Sequence, residues 1–179
     1  MSVISKLRNP LRESYQTFKE LVNGQEFPWY YYEHSVEGKN DEFDNVPFYG
    51  HTILARPGYG NALYSTPMSP YIELANLVLS DIFEYNNIDV NVVHRINVNC
   101  THWSSDLPSV PHVDHDFPHK NLVIYLSGFD FGETCLWKDG KCVSRYIPVE
   151  DGIITFEGLH NIEQPRAGCR RIVLVATYS

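Results

Sequence analysis

The stretch that decides the fold of this chain reads His112-Val-Asp-His-Asp-Phe-Pro-His-Lys-Asn-Leu-Val-Ile-Tyr-Leu-Ser127. It places His112 and Asp114 two residues apart and then continues into a β-rich run. In a strand, residues two apart point to the same face of the sheet. A histidine and a carboxylate presented together in this way can be two ligands of one metal ion.

The sequence downstream supplies a third candidate ligand. Further β-rich segments follow, with a hairpin predicted at Asp139-Gly140. They lead to His160 and then to Arg170, which opens another β-branched run. A distant histidine can complete the 2-His-1-carboxylate facial triad of non-haem Fe(II) oxygenases, which leaves three coordination positions open. A nearby basic residue could anchor the free carboxylate of a 2-oxo acid.

The order and spacing of these motifs resemble the 2-oxoglutarate- and Fe(II)-dependent dioxygenases, specifically their prolyl-hydroxylase-like branch. The resemblance covers residues 92–179. It implies that His112, Asp114 and His160 are the iron ligands. It also implies that Arg170 and Tyr125 bind the distal carboxylate of the cosubstrate 2-oxoglutarate. Tyr125 stands in Tyr-Leu-Ser, where the family usually has Tyr-Leu-Asn.

Three further residues are candidates for binding the cosubstrate. Thr134 stands where the family's Gly-Gly-x-Thr segment lines the pocket, although the pair here is Gly132-Glu133. Asn97 and Asn99 are candidates for the keto end of the oxo acid.

Arg171 and Arg166 are rivals of Arg170 as the anchor. Strand alternation puts Arg170 and Arg171 on opposite faces of their strand. The spacing from His160 that the resemblance implies selects Arg170, and we expect it to face the metal pocket.

The resemblance implies a hydroxylase. Fe(II), 2-oxoglutarate and O2 would together oxidise a substrate C–H bond, with release of succinate and CO2. Related halogenases lack the carboxylate at the position of Asp114, so its presence favours hydroxylation. A prolyl or other peptide or protein side chain is the expected substrate, and a small molecule stays open.

Two other functions deserve comparison. A non-catalytic jelly-roll binding module would keep the barrel and lose the cosubstrate, which the complete triad and Arg170 argue against. The run His112-Val-Asp-His115 also resembles the His-x-His-x-Asp-His motif of zinc-dependent hydrolases with a metallo-β-lactamase-like fold. That motif needs a histidine at position 110, where this chain has Val110.

Composition excludes several classes of partner. The 179 residues are 43% hydrophobic and carry a net charge of −8 without a Lys/Arg cluster, which argues against nucleic acid binding. The sequence has no apolar run of eighteen residues and no signal-peptide core, so no membrane span is expected. Four cysteines without a Cys-x-x-Cys pattern fit a reducing, cytoplasmic setting. Cys135 and Cys142 flank the predicted hairpin.

The N-terminal half predicts supporting structure. Helices are expected to begin at Asn9-Pro10 and Ser69-Pro70. Strands are expected over residues 27–32, 46–55 and 92–98, with a polar loop over 35–45. The predicted fold class is therefore α+β, a double-stranded β-helix (jelly-roll, cupin-like) barrel with N-terminal packing helices. We expect one domain over residues 1–179, in which 1–91 support a catalytic core at 92–179.

Overall fold

A computed structural model describes residues 3–35 and 46–179 of the chain. Two α-helices precede most of the strands, α1 over Glu13–Asn23 and α2 over Ile72–Tyr85, and a 3₁₀ turn covers Tyr59–Asn61. The strands are β1 (Ser5–Leu7), β2 (Tyr30–Tyr32), β3 (Phe48–Ala55), β4 (Thr66–Pro67), β5 (Val93–His102), β6 (Lys120–Tyr125), β7 (Thr134–Lys138), β8 (Lys141–Tyr146), β9 (Ile153–Phe156), β10 (His160–Ile162) and β11 (Arg170–Tyr178).

The strands form two antiparallel sheets. The large sheet has the order β1-β9-β6-β11-β5-β3-β2, with β4 paired to β3. The small sheet has the order β10-β7-β8. The large sheet alternates strands from distant parts of the sequence, as expected of a jelly roll. The predicted mostly antiparallel fold with N-terminal helices is confirmed.

One face of the large sheet packs against the helices, and we call it the outer face. It carries Ile172 and Leu174 of β11, which are buried in one cluster with Phe18 of α1 and Val78 of α2. In α1, Tyr15, Phe18 and Val22 recur at helical spacing and are all buried. Burial of this apolar stripe is the main force that holds the helices on the sheet.

The opposite face of the large sheet, the inner face, looks toward the small sheet. It carries Val173 of β11 and Tyr125 of β6, which are buried in a second cluster with Leu136 and Tyr146 of the small sheet. Both faces of β11 are therefore covered, and its burial pattern is continuous rather than alternating. The site described below lies between this inner face and the small sheet.

Local signals in the sequence placed the hairpin correctly. β7 and β8 are joined at Asp139 and Gly140, whose φ angles are 51° and 72°. Two consecutive positive φ angles are those of a type I′ turn, which favours Asp-Gly. The loop expected over residues 35–45 lies almost entirely outside the described residues. Among the residues described, no helix is long and apolar enough to cross a membrane.

Candidate metal and cosubstrate site

The backbone holds two of the predicted ligands directly opposite each other. His112 pairs with His160 of β10 through an isolated antiparallel bridge. Each residue donates its amide N–H to the carbonyl of the other, at 2.9 Å in both directions. The two imidazole rings lie with their centroids 4.5 Å apart. A distant pair in the sequence is thus brought together by two main-chain hydrogen bonds.

Both histidines expose the same ring nitrogen to the site. Nδ1 of His112 lies 3.0 Å from the carbonyl of Val110, and Nδ1 of His160 lies 3.1 Å from the carbonyl of Gly158. A carbonyl oxygen only accepts, so each Nδ1 must carry the proton. Each Nε2 is then left with a free lone pair, which is the form of histidine that binds a metal.

Asp114 completes the group, and its side chain is only 7% exposed. Its Oδ1 accepts a hydrogen bond from Arg95 at 2.6 Å, and its Oδ2 lies 3.6 Å from Nε2 of His160. Burial alone would raise the pKa of Asp114, but Arg95, followed by His160, holds this pKa well below its ordinary value. Burial lowers the pKa of His160 to about 4, although Asp114 opposes this shift. The site therefore offers an ionised carboxylate and a neutral imidazole at neutral pH.

The donor atoms fit one metal ion. The nearest donor atoms of His112, Asp114 and His160 all lie within 4.8 Å of one another, and within the described ranges this is the one such group of three. Oδ2 of Asp114 is buried without a hydrogen-bond partner, as a ligand atom awaiting a cation would be. Two imidazoles and one carboxylate are the donor set that suits non-haem Fe(II).

A buried arginine lies on the inner face of the large sheet. Arg171 of β11 is 3% exposed and places its guanidinium 5.6 Å from the centre of the Tyr125 ring. Its Nε donates to the carbonyl of Gly132 at 3.2 Å, and one terminal nitrogen lies 3.5 Å from Oγ1 of Thr134. The hydroxyls of Tyr125 and Thr134 are hydrogen-bonded to each other at 2.9 Å. Arg171, Tyr125 and Thr134 thus form one buried polar cluster.

This cluster lacks a counter-charge. In the part of the chain that the structure describes, no carboxylate lies within 4.0 Å of the Arg171 guanidinium. Burial lowers the pKa of Arg171, yet an arginine keeps its charge in proteins. A buried, unpaired cation is costly, so the cluster is suited to receive an anionic group.

The structure places Arg171, and not Arg170, on the inner face. Arg170 is exposed at the start of β11, on the outer face with Ile172, and does not face the pocket. Arg166 is 65% exposed and lies 3.6 Å from Asp130 on the rim. The predicted alternation is correct, but the wrong face was taken as the inner one. Both faces of β11 are apolar, so the sequence pattern does not tell them apart.

Gly132 makes room for the buried arginine. Its φ is 75°, and a Cβ at this position would lie 2.9 Å from the Phe129 ring and 3.2 Å from Cδ of Arg171. A side chain here would therefore be strained and would also displace Arg171. The glycine of the predicted Gly-x-Thr segment thus has a clear steric role.

Several polar residues line the inner face between these groups. Asn97 and Asn99 of β5 align with Val175 and Val173 of β11, and their Oδ1 atoms are buried without a partner. Asn121 of β6 is fully buried, and neither of its amide atoms has a partner.

The sequence interpretation missed Asn121 and Arg95. Both stand at inward positions of their strands, two or four residues from polar neighbours of the same face. For Arg95 the signal is the period-two row of polar residues that it forms with Asn97 and Asn99 in β5. No such row marks Asn121, whose next neighbour on the same face is Val123.

The other histidines of this region belong to a separate cluster. Nε2 of His115 is bonded to Oγ1 of Thr177 at 2.8 Å, and its ring stacks on Phe117. His119 and His94 pack nearby, with ring centroids 4.7 Å and 6.0 Å from that of His115. His115 is therefore not positioned as a fourth ligand, as the zinc-hydrolase motif would require.

Three solved structures with a similar fold are distant from this chain in sequence. A 2OG-Fe(II) oxygenase family oxidoreductase from Burkholderia pseudomallei has a TM-score of 0.62 at 20% identity, over 85% of this chain and 73% of that one. A Trichoplax adhaerens prolyl hydroxylase, in complex with a hypoxia inducible factor peptide fragment, has a TM-score of 0.61 at 15% identity. That match covers 98% of this chain and 82% of the hydroxylase. A viral collagen prolyl hydroxylase from Paramecium Bursaria Chlorella virus-1, as a 2OG complex, has a TM-score of 0.59 at 14% identity. That match covers 98% of this chain and 94% of the viral enzyme.

These likenesses establish the fold. No protein-family model matches the sequence, and no curated protein matches it either.

Proposed function

We propose that this protein is an Fe(II)- and 2-oxoglutarate-dependent dioxygenase that hydroxylates a C–H bond. The observation that carries the proposal is the presence of two complementary groups on the side of the large sheet that looks toward the small sheet. One is a set of three metal donors with free Nε2 and carboxylate atoms. The other is the buried, unpaired cation of Arg171. A metal-bound dicarboxylate satisfies both at once.

His112, Asp114 and His160 would hold the iron. Its chemistry with 2-oxoglutarate and O2 is oxidative decarboxylation to succinate and CO2, coupled to oxidation of a substrate C–H bond. The backbone bridge between the histidines and the two Nδ1 hydrogen bonds keep their rings oriented before any metal arrives. Such preorganisation is what the protein contributes to cofactor chemistry.

Arg171 and Tyr125 would bind the distal carboxylate of 2-oxoglutarate by charge-assisted hydrogen bonds. Burial raises the pKa of Tyr125, so its phenol stays protonated and can donate. Thr134 would hold the phenol in place through their mutual hydrogen bond. We assign the anchoring role to Arg171 because Arg170 is exposed on the other face.

Asn97 and Asn99 would contribute to the polar wall between the anchor and the metal. Their unpartnered amide oxygens face the inner side of the sheet next to β11. Buried polar atoms without partners are rare in proteins, and a bound polar molecule is one explanation for them.

We propose a peptide or protein side chain, such as a prolyl residue, as the substrate. The inner face continues from β5 onto β3 and β2, where Phe48 and Tyr32 are stacked at 5.0 Å and Tyr30 is 58% exposed. Exposed aromatic rings suit the docking of extended, proline-containing peptides. The Trichoplax neighbour is in complex with a peptide fragment, which makes this class the first to test.

The decisive experiment is an anaerobic titration of the protein with Fe(II) and 2-oxoglutarate. We expect the weak visible charge-transfer band of an iron–oxo-acid chelate, and then O2-dependent succinate formation. His160→Ala should remove the band and the succinate, whereas Arg145→Met, on the far surface of the small sheet, should change neither. A wild-type protein that binds no metal, or binds it without releasing succinate, would point to the non-catalytic binding module instead.

A separate assay tests the substrate class. Proline-containing peptides should increase succinate formation above the uncoupled rate, and mass spectrometry should find the peptide heavier by one oxygen atom. Tyr32→Ser should weaken this stimulation while leaving uncoupled succinate release intact. Stimulation by free amino acids and not by peptides would redirect the proposal to a small-molecule substrate.

A further inference from the structure

Asp114 has two oxygen atoms, and the structure gives them different surroundings. Oδ1 accepts a 2.6 Å hydrogen bond from Arg95, whose side chain is 19% exposed. Oδ2 is buried, has no hydrogen-bond partner and lies 3.6 Å from Nε2 of His160. The two oxygens of a free carboxylate are equivalent and can bind a cation singly or together. Here only one of them is available.

Arg95 is itself held in place by the sheet. It lies on β5 opposite Thr177 of β11, on the same inner face as Asn97 and Asn99. A guanidinium is planar and always charged, so it fixes the orientation of a carboxylate as well as its charge. A second arginine, Arg56, donates to the carbonyl oxygen of Asp114 at 3.4 Å. The residue is thus restrained at its side chain and at its backbone.

We propose that Arg95 is a positioning residue that reserves Oδ2 of Asp114 for the metal and restricts this ligand to one oxygen. This inference rests on the proposed metal site. A carboxylate that bound through both oxygens would take a second coordination position. Arg95 thereby protects the open positions on which the oxo acid and O2 depend.

The charge of Arg95 and a positioning role of Arg95 predict opposite changes in metal affinity when the residue is removed. A cation beside a metal site repels the metal ion, so a purely electrostatic role predicts tighter metal binding when Arg95 is removed. A positioning role predicts weaker binding, because Asp114 would lose its fixed orientation. The sign of the change in affinity separates the two.

The test measures metal binding without turnover. Mn(II) is titrated into the metal-free wild type and into Arg95→Met, Arg95→Lys and Arg145→Met. We expect Arg95→Met to weaken binding by about 10- to 100-fold, the usual cost of losing a residue that orients a metal ligand. Arg95→Lys, which keeps a charge and a donor, should recover part of the loss. Arg145→Met removes the same charge from an exposed site and should bind as the wild type does.

Co(II) supplies a second readout that a merely structural role would not move. At saturating Co(II), the visible absorption of Arg95→Met should differ from that of the wild type, because Asp114 is free to change its binding mode. Unchanged or tighter Mn(II) binding together with an unchanged Co(II) spectrum would overturn the proposal.

A crystal structure of the wild type with Mn(II) tests the same point if Arg95→Met does not fold. It should show one oxygen of Asp114 on the metal and the other on Arg95. If both oxygens of Asp114 bound the metal, or if Arg95 did not contact Asp114, the role of Arg95 would be refuted and the proposed metal site would stand. A wild type that binds no Mn(II), like His160→Ala, would instead remove the proposed function and this role with it.

Discussion

At the scale of single residues, the candidate site is defined by buried polar atoms and charges that have no hydrogen-bond partner or counter-charge in the protein. Oδ2 of Asp114 and the Oδ1 atoms of Asn97 and Asn99 are buried without a hydrogen-bond partner, and the buried guanidinium of Arg171 has no counter-charge among the described residues. Each would be costly in a site that stays empty of ligand. Together they suit a cation at one end of the site and an anionic group at the other, as the proposed metal ion and dicarboxylate would supply.

The anchor is tested by replacing each neighbouring arginine. Arg171→Met should raise the KM for 2-oxoglutarate by about 10- to 100-fold, since a hydrogen bond to a charged group contributes about 1.5–3 kcal/mol. Arg170→Met should leave it nearly unchanged because its side chain is exposed. The measurement is succinate formation at varied 2-oxoglutarate and saturating Fe(II). A strong effect of Arg170→Met with none from Arg171→Met would reverse the assignment of faces.

The carboxylate ligand is tested by comparing two neighbouring aspartates. Asp114→Ala should abolish metal binding and succinate formation, because it removes the buried oxygen beside His160. Asp116→Ala should keep most of both, since Asp116 is exposed and outside the group of donors. Mn(II) titration gives the affinities. Retained binding in Asp114→Ala with loss in Asp116→Ala would move the ligand to position 116.

At the scale of elements, β10 of the small sheet carries His160, one of the three candidate metal donors, and Asn161 beside it ties β10 to its neighbours. Asn161 accepts a hydrogen bond from the indole of Trp137 at 2.8 Å and donates to the carbonyl of Ser109 at 3.1 Å. The backbone of Ser109 is in turn bonded to Ile162. One buried amide therefore ties the segment that carries His112 to β10 and β7.

Replacing this amide should loosen the metal site. Asn161→Ala leaves a buried donor and acceptor unpaired, so the free energy of unfolding should fall by about 1–3 kcal/mol. Mn(II) affinity should fall by about 10-fold or more, as for other supports of metal ligands.

The matched control is Asn23→Ala in α1. Its amide donates to the carbonyls of Lys19 and Leu126, far from the ligands in sequence. Urea denaturation and Mn(II) titration compare the two variants. We expect both to be destabilised, but equal metal affinities would show that Asn161 supports the fold only.

At the scale of the whole molecule, the helices pack on one face of the large sheet and the candidate site lies on the other, so we expect the helical layer to affect stability more than metal binding. The helices and the outer face form one apolar cluster, and the inner face and the small sheet form the other. Phe18 is fully buried in the first cluster. Phe18→Ala should reduce the free energy of unfolding by about 3–5 kcal/mol, through lost burial and the cavity it leaves.

The same variant should keep the metal affinity of its folded fraction. Guanidinium denaturation gives the stability, and Mn(II) titration in the absence of denaturant gives the affinity. A loss of less than about 1 kcal/mol would mean that the helical layer contributes little packing energy. A parallel loss of metal affinity would mean that the two layers are not independent.

The sequence by itself determined the chemistry-bearing pattern and the class of fold. The spacing of His112 and Asp114, the turn at Asp139-Gly140 and the apolar stripe of α1 are local features, and local geometry translates them directly. They predicted the group of three candidate metal donors, the hairpin and the presence of both helices. The helix starts were predicted too early, since α1 begins at Glu13 and α2 at Ile72. The resemblance implied a cosubstrate-binding role for Tyr125, and the structure places its ring beside the guanidinium of Arg171 rather than that of Arg170.

Only the tertiary structure decided which face of β11 is the inner one. Arg170 and Arg171 alternate in any strand, but β11 is buried on both sides and its apolar pattern is the same on each. The choice depends on where the helices and the small sheet pack, which involves residues far away in the sequence. For the same reason, the hydrogen bond from Arg95 to Asp114 joins residues nineteen positions apart. Strand period alone could indicate that Arg95 points inward, and only the packed sheets show what it meets there.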